Sequence, residues 1–158
     1  MTDYGVPTDP SGALAWSWAS ERLIRSRNYW VATVDPSGQP HATPVWGLWR
    51  SGKDGDDFWF GCAPSAYKAR NLATNPHVTV AADDTIEVVS VDGIATMTEP
   101  SDAVITAYVA KYWPDDDPAA HVEFMRSHPM FRVMPRWAYG IIEREDEFSQ
   151  RATRWRWT

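Results

Sequence analysis

Ser65, Lys68, Arg70 and Asn71 stand close together in the stretch Phe58 to Val80, and their order is unusual for the start of a helix. A strand-like run, Phe58 to Cys62, leads through Pro64 into a short helix that Asn75-Pro76 should stop, because the residue before proline avoids helical backbone. Ser65 falls where an N-cap hydroxyl would accept a first-turn N–H. Three residues on, where a capping box would place Glu or Gln, the chain has Lys68. Two cations and no acid in the first turns oppose the helix dipole, whose positive end favours negative groups. Two readings fit. Either an anion, a phosphate above all, is bound by the free N–H groups and Lys68, or this is a surface helix whose Lys and Arg are solvated. On an ideal helix Lys68 and Arg70 project about 200° apart. Lys68 is therefore the first choice for a phosphate, and Arg70 suits a longer ligand tail or a partner chain.

Several elements must position this stretch. Residues 1–12 of the chain, with Pro7 and Pro10, read as a loose polar arm, and 13–158 as one domain. From Ala13 to Arg27 the apolar Trp16, Ala19 and Leu23 recur at helical spacing among charged residues, which predicts an amphipathic helix. Tyr29 to Val34 and Gln39 to Arg50 predict a hairpin about the turn Asp35-Pro-Ser-Gly38. The second arm carries Pro40 and Pro44. Proline cannot donate to a ladder, so Pro44 marks an edge, a bulge, or a place where backbone faces something other than a strand, such as a ligand.

Strands are further predicted over Phe58–Cys62, His77–Ala81 and Ile86–Thr98, the last bulged near Val88-Val89 where the parity of its apolar residues switches. Glu99-Pro-Ser-Asp102 starts a helix in which Val104, Tyr108 and Tyr112 recur every fourth residue up to Trp113-Pro114. Another helix is expected over Ala119–Ser127. Two last strands are expected over Phe131–Met134 and Trp137–Glu143, before an alternating Thr153-Arg-Trp-Arg-Trp157 tail. Six or seven strands with two to four helices joined by short turns define an α+β domain around an antiparallel sheet or barrel.

Composition narrows the function. The 158 residues are 44% hydrophobic and 23% charged, with net charge −6 and pI near 5.1. That balance argues against nucleic acid or an anionic membrane as the main partner, since both need a basic face. No apolar run approaches a membrane span and no early stretch reads as a secretion signal, so a cytoplasmic address is expected. The single Cys62 excludes an internal disulfide and multi-cysteine zinc patterns, and a lone cysteine at a strand end reads as a small buried hydrophobe. Asp115-Asp116-Asp117 lacks spaced further ligands and reads as a solvated turn rather than a metal site. No dinucleotide, Walker, zincin or nucleophile-elbow motif is present. Of the four histidines, His41 is notable because it lies on the proline-bearing strand. The ten tryptophans, among them Trp46, Trp49, Trp59, Trp137, Trp155 and Trp157, exceed what one small core can bury with every indole N–H satisfied. Some should face a partner subunit or a flat ring.

A phosphate-bearing planar redox cofactor would answer the Ser65/Lys68 site, the proline-interrupted strand and the aromatic surplus together. The hairpin Trp30-Val-Ala-Thr-Val-Asp-Pro-Ser-Gly-Gln-Pro-His-Ala-Thr-Pro-Val-Trp46, with Phe60-Gly-Cys, Ser65, Lys68-Ala-Arg-Asn-Leu72 and Asn75-Pro-His-Val78, resembles the pyridoxamine 5′-phosphate oxidase-like split β-barrel superfamily, also called flavin/deazaflavin oxidoreductases. The resemblance is best over Glu21 to Thr98. It implies a homodimer of split barrels with cofactor sites between the subunits, holding FMN in some branches and the deazaflavin coenzyme F420 in others. Carried over by residue, it implies that Lys68 and Ser65 hold the cofactor phosphate, with Arg70 and Asn71 nearby. Thr43, Pro44, Val45 and Trp46 would line the ring edge through backbone groups, and Gly61, Cys62 and Ala63 would form the loop beside it. True pyridoxamine phosphate oxidases carry an Arg and a Lys in the first cofactor strand. His41 to Gly47 has neither, which argues against vitamin B6 oxidation. The resemblance therefore implies an oxidoreductase passing hydride from coenzyme F420, or from FMN, to a small organic substrate. A cofactor carrier without turnover and a purely structural dimer are the rivals. No side chain is singled out as catalytic acid or base.

Overall fold

The computed structural model describes residues 7–148 and 150–158, so half of the expected N-terminal arm lies outside the described residues. Pro10–Gly12 form a 3-10 turn capped by the Asp9 carboxylate. The first long helix, α1 (Trp16–Arg25), buries Ala19, Ser20 and Leu23. It leads into β1 (Asn28–Val34), whose Tyr29, Val31 and Thr33 face inward and whose Trp30, Ala32 and Val34 face out. Strand alternation alone divides these two faces. The turn to β2 (Pro40–Arg50) is set by Asp35, which accepts the N–H groups of Ser37 and Gln39, and by Gly38 at φ 89°. An aspartate that folds back on its own loop and a glycine in left-handed backbone suit such a turn.

The remaining elements are β3 (Asp57–Phe60), α2 (Tyr67–Thr74), β4 (His77–Ala82), β5 (Glu87–Thr98), α3 (Asp102–Tyr112), α4 (Pro118–Arg126), β6 (Met130–Ile142) and β7 (Thr153–Arg156). All seven strands form one antiparallel sheet in the order β3-β2-β1-β4-β5-β6-β7, and a β3–β6 pairing closes six of them into a barrel. The barrel is filled by Tyr29, Val31, Phe58, Phe60, Val80, Val89, Val91 and Val133, with α1 and Trp16, Trp155 and Trp157 packed against it. A second apolar cluster joins the outer residues Leu48 and Trp59 to Val104, Ile105, Tyr108 and Tyr112 of α3 and Met125 of α4.

Two expectations are corrected. Phe131–Met134 and Trp137–Glu143 are not separate strands but parts of β6, which runs unbroken against β5. On its other side β6 pairs first with β3, through Phe131–Val133, and then with β7, through Trp137–Gly140. Pro135, which has no N–H to donate, lies between the two partners. The irregularity expected at Val88-Val89 is instead at Asp92/Gly93, where Asp92 faces Trp137 and Gly93 faces Pro135, leaving Arg136 as the extra residue. A Cβ on Gly93 would sit 2.5 Å from the Met134 carbonyl oxygen, so the bulge requires glycine there. The parity switch at Val88-Val89 comes from half-buried Val88 outside the barrel, not from a slipped register.

Buried Asp57 fastens one corner of the barrel. It takes a bidentate bond from Arg50 of β2 at 2.8 and 2.7 Å and one from Arg132 of β6 at 2.9 Å, so a single carboxylate ties three strands. Burial pushes the pKa of its carboxyl up, but the bonds and charge of Arg50, and then the charge of Arg132, outweigh burial and hold it below the ordinary range. Such a group stabilises the fold above its ordinary value and ceases to as the pH falls through the depressed one. Asp57→Ala is expected to cost about 1–3 kcal/mol at neutral pH, less than a fully buried pair because both arginines are partly exposed. Denaturant unfolding should show the gap to wild type closing in acid.

Candidate functional site

The sheet is split at β2. Residues Pro40 to Trp46 pair with β1 and Gly47 to Arg50 with β3, with no overlap between the two ladders. The edge of 40–46 away from β1 therefore meets no strand, and this is where the chain carries Pro44. A strand turns alternate backbone groups to each side, so this edge offers unpaired N–H and C=O groups. Across from it runs the segment from Gly61 to Ala66. Its ends are fixed: Phe60 pairs with Gly47 at one end, and at the other the Tyr67 ring stacks on His41, with centroids 5.4 Å apart and planes 20° from parallel. Gly61–Ala66 thus spans the same length as the free edge without pairing to it. Thr43, Pro44, Val45 and Trp46 stand opposite Gly61, Cys62, Ala63 and Ser65 across the unpaired edge, a stretch we call the cleft.

The Thr43 hydroxyl oxygen is buried without a hydrogen-bond partner. A buried hydroxyl left unmade is costly; Thr43 pairs with Val31, so its side chain shares the inward face with Val31 and Val45. At the cleft's end stands α2, whose N-cap is Ala66 rather than Ser65, with no side-chain cap and no acid in the first turn. The reason is local: the Ala66 N–H bonds the Ala63 carbonyl, and this tight turn delays the helix by one residue and leaves Ser65 exposed before it. The first-turn N–H groups are consequently open to an external acceptor. Lys68 is half-buried and close enough to Cys62 for its charge to act on the thiol. Burial pushes Cys62 up by more than Lys68 pulls it down, so the thiol is protonated at neutral pH and is no ready nucleophile.

The other two predicted residues point elsewhere. The Arg70 guanidinium lies over the Tyr67 ring, 4.5 Å from its centre. Asn71 is buried and its amide donates to Thr33 Oγ1 at 3.0 Å, fixing α2 to β1. Trp46 sends its backbone along the cleft and its indole the other way, onto the ring of Tyr112 at 4.7 Å and 6°. Trp49 and Trp59 are buried, whereas Trp30, Trp46 and Trp137 are 43–49% exposed on the outer face. In the acidic loop Asp117 caps α4 and Asp116 meets His121, and among the described residues no cluster of three or more His, Cys, Asp or Glu could hold a metal.

A groove of about 810 Å³ opens elsewhere, on the outer face of β1, β4, β5, β6 and β7, and none of the predicted site residues lines it. Arg136, placed by the bulge, and Arg156, whose guanidinium lies 5.0 Å from the Trp137 ring centre, form its rim with His77 and Asp92. Sequence reasoning missed these arginines as a pair. The alternation about Trp155 was a signal for the face of Arg156, whereas Arg136 is placed by the bulge, which no local pattern marks. Lys111 was missed as well. It lies on α3 with its amine bonded to Tyr29 and Gly47.

An antiparallel split barrel whose divided strand faces an open helix start defines the class. The chain belongs to the pyridoxamine 5′-phosphate oxidase family, whose sequence model matches residues 19–137. No curated protein matches it. Among solved structures it is similar to an F420 reductase, at 23% identity and TM-score 0.57, over 75% of this chain and 94% of that one. It is also similar to a pyridoxamine 5′-phosphate oxidase-related FMN binding protein of Nostoc punctiforme, at 16% identity and TM-score 0.53, over 89% and 91%. A third is the heme storage protein HutZ of Vibrio cholerae, at 20% identity and TM-score 0.54, over 73% and 86%. At these identities the likenesses establish the fold.

Burial lowers the Lys111 amine from 10.5 to about 8, with Asp83 opposing and Arg27 assisting. A lysine depressed in the fold is a cost while both states are charged, and that cost is relieved where only the folded state has lost its proton. The stability of wild type relative to Lys111→Met should therefore rise between about pH 8 and 10.5 and stay flat below. Parallel denaturant titrations of the two proteins measure this.

Proposed function

We propose that this protein is an oxidoreductase that binds the deazaflavin coenzyme F420 in the β2 cleft and delivers hydride from it to a small organic substrate. The observation that carries the reading is the free edge of Thr43–Trp46 lying along Gly61–Ala66 and ending at an uncapped, lysine-bearing helix start. The donor set suits a phosphate at one end, and the unpaired backbone suits the polar rim of a fused ring. Lys68 and the first-turn N–H groups of α2, with exposed Ser65 beside them, would hold the phosphate. The backbone of Thr43, Pro44, Val45 and Trp46 would fix the ring edge, and Gly61, Cys62 and Ala63 would cover it. When bound, such a cofactor supplies the hydride chemistry. The chain's own residues supply orientation and exclusion of water, and none of them is assigned a proton-transfer role. FMN is the alternative occupant, since it offers the same phosphate and ring to the same residues. A carrier that binds the cofactor and never turns it over would use the same site.

The reading includes a homodimer with the cofactor sites between the subunits. The face given to the second copy is the outer one, where Trp30, Trp46 and Trp137 are exposed and Trp137 lines the groove of Arg136 and Arg156. Aromatic residues and arginine are enriched in such interfaces. Trp137→Glu is accordingly expected to give monomers by light scattering and to lose cofactor affinity with them. A dimer that persists unchanged would remove this face from the assembly.

Titration of the tryptophan fluorescence with FMN and with coenzyme F420 tests the site. Lys68→Ala is expected to weaken binding at least about tenfold, the loss of one charge-assisted phosphate contact. Unchanged affinity would remove the phosphate from Lys68. Anaerobic mixing of the reduced cofactor with candidate acceptors then separates enzyme from carrier, because only an enzyme oxidises it.

A further inference from the structure

At Gly47, where β2 leaves β1 for β3, the ladder lacks a rung. The last β1–β2 pair is Asn28 with Trp46, so the next would join Arg27 to Gly47. The Tyr112 hydroxyl stands in that place: it accepts the Gly47 N–H at 2.7 Å and lies 2.6 Å from the Arg27 carbonyl oxygen and 2.8 Å from the Gly47 carbonyl oxygen. A hydroxyl has one proton to give. The Arg27 carbonyl is the nearer acceptor and the Gly47 carbonyl also accepts from Lys111 Nζ at 2.8 Å, so we place the Tyr112 proton on the Arg27 bond, and the rung runs from Gly47 N–H through Tyr112 to Arg27. Lys111 also donates to the Tyr29 hydroxyl at 2.8 Å, which in turn donates to the Leu23 carbonyl. The next residue of the helix end completes the arrangement, since Trp113 meets the Trp46 ring edge-on at 5.5 Å while Tyr112 stacks on its face. Gly47 itself cannot be replaced cheaply, because a Cβ would sit 2.2 Å from the Phe58 ring.

We propose that Lys111 and Tyr112 are positioning residues for the ring-edge segment Thr43–Trp46, holding the Gly47 peptide where β2 changes neighbours and so setting the line of the free edge. The proposal rests on the cofactor reading above. Among the described residues no strand pairs with Thr43–Trp46 on its open side, so the Gly47 peptide sets how that edge leaves the β1 ladder. The charged form of Lys111 makes the stronger bond to Gly47 O. Its surroundings are Tyr29 of β1, Tyr112 of its own helix, Arg27 before β1 and Asp83 after β4. Loss of its proton, near pH 8, weakens the brace.

Two measurements test this: amide hydrogen exchange at Trp46 and Gly47 in the cofactor-free protein, and FMN and coenzyme F420 affinity between neutrality and about pH 9.5. Lys111→Met and Tyr112→Phe are each expected to speed exchange at these two amides and to weaken affinity about tenfold at neutral pH. Wild-type affinity should fall as the pH passes the Lys111 transition, Lys111→Met should show no such fall, and Lys111→Arg should recover most of the neutral-pH affinity. Faster exchange with wild-type affinity would make the pair merely structural and overturn the proposal. So would unchanged exchange. If Lys111→Met does not fold, Lys111→Gln keeps a donor without the charge; a flat pH profile supports the proposal and a wild-type profile overturns it. Failure of the cofactor reading is seen separately, as a wild-type protein that binds neither cofactor, and the proposal falls with it.

Discussion

The structure depends on β2 having two neighbours in succession rather than two at once. A barrel strand with partners on both sides along its whole length has no backbone to offer a ligand. One with partners on neither would leave its polar groups unpaired in a dry interior. Here β1 takes residues 40–46 and β3 takes 47–50, so half of one edge is free while the strand stays anchored at both ends. The barrel around it is closed by β6, itself divided between β3 and β7. Both divided strands carry proline near the division, Pro44 in one and Pro135 in the other, as expected where a donor is not wanted.

Charge is arranged locally against the overall balance. The chain is acidic, yet the start of α2 has Lys68 and no acid, and the outer groove has Arg136 and Arg156 with His77. Some other cations are matched: Arg50 and Arg132 share Asp57, and Arg22 and Arg144 share Glu87. Lys68, Arg136 and Arg156 have no such ion pair among the described residues, although Asp92 shares the groove with the two arginines.

Much of this was legible in the chain. The hairpin, the helix of Val104, Tyr108 and Tyr112, and the stop at Asn75-Pro76 follow from local periodicity and turn chemistry, and they appear as expected. The cleft was half legible: Pro44 announced a strand segment without a full set of partners, and Lys68 an anomalous helix start. Which residues face the cleft was less so. Ser65 lost the cap because the Ala63–Ala66 turn intervened, and Asn71 went to Thr33 because its helix face meets β1. The Gly47 brace was invisible, since Lys111 and Tyr112 stand more than sixty residues from their acceptor, and no local pattern encodes a missing rung. Likewise the partner change within β6 split one strand into two apparent ones.

The central claim is that the free edge of β2 and the start of α2 together form the cofactor site. Amide chemical-shift mapping on adding FMN or coenzyme F420 to the full chain tests it most directly. The account predicts that the largest shifts fall on Thr43 and Val45 to Gly47 and on Gly61 to Lys68, with Pro44 and Pro64 silent for want of an N–H. Binding that leaves both segments unmoved would contradict it.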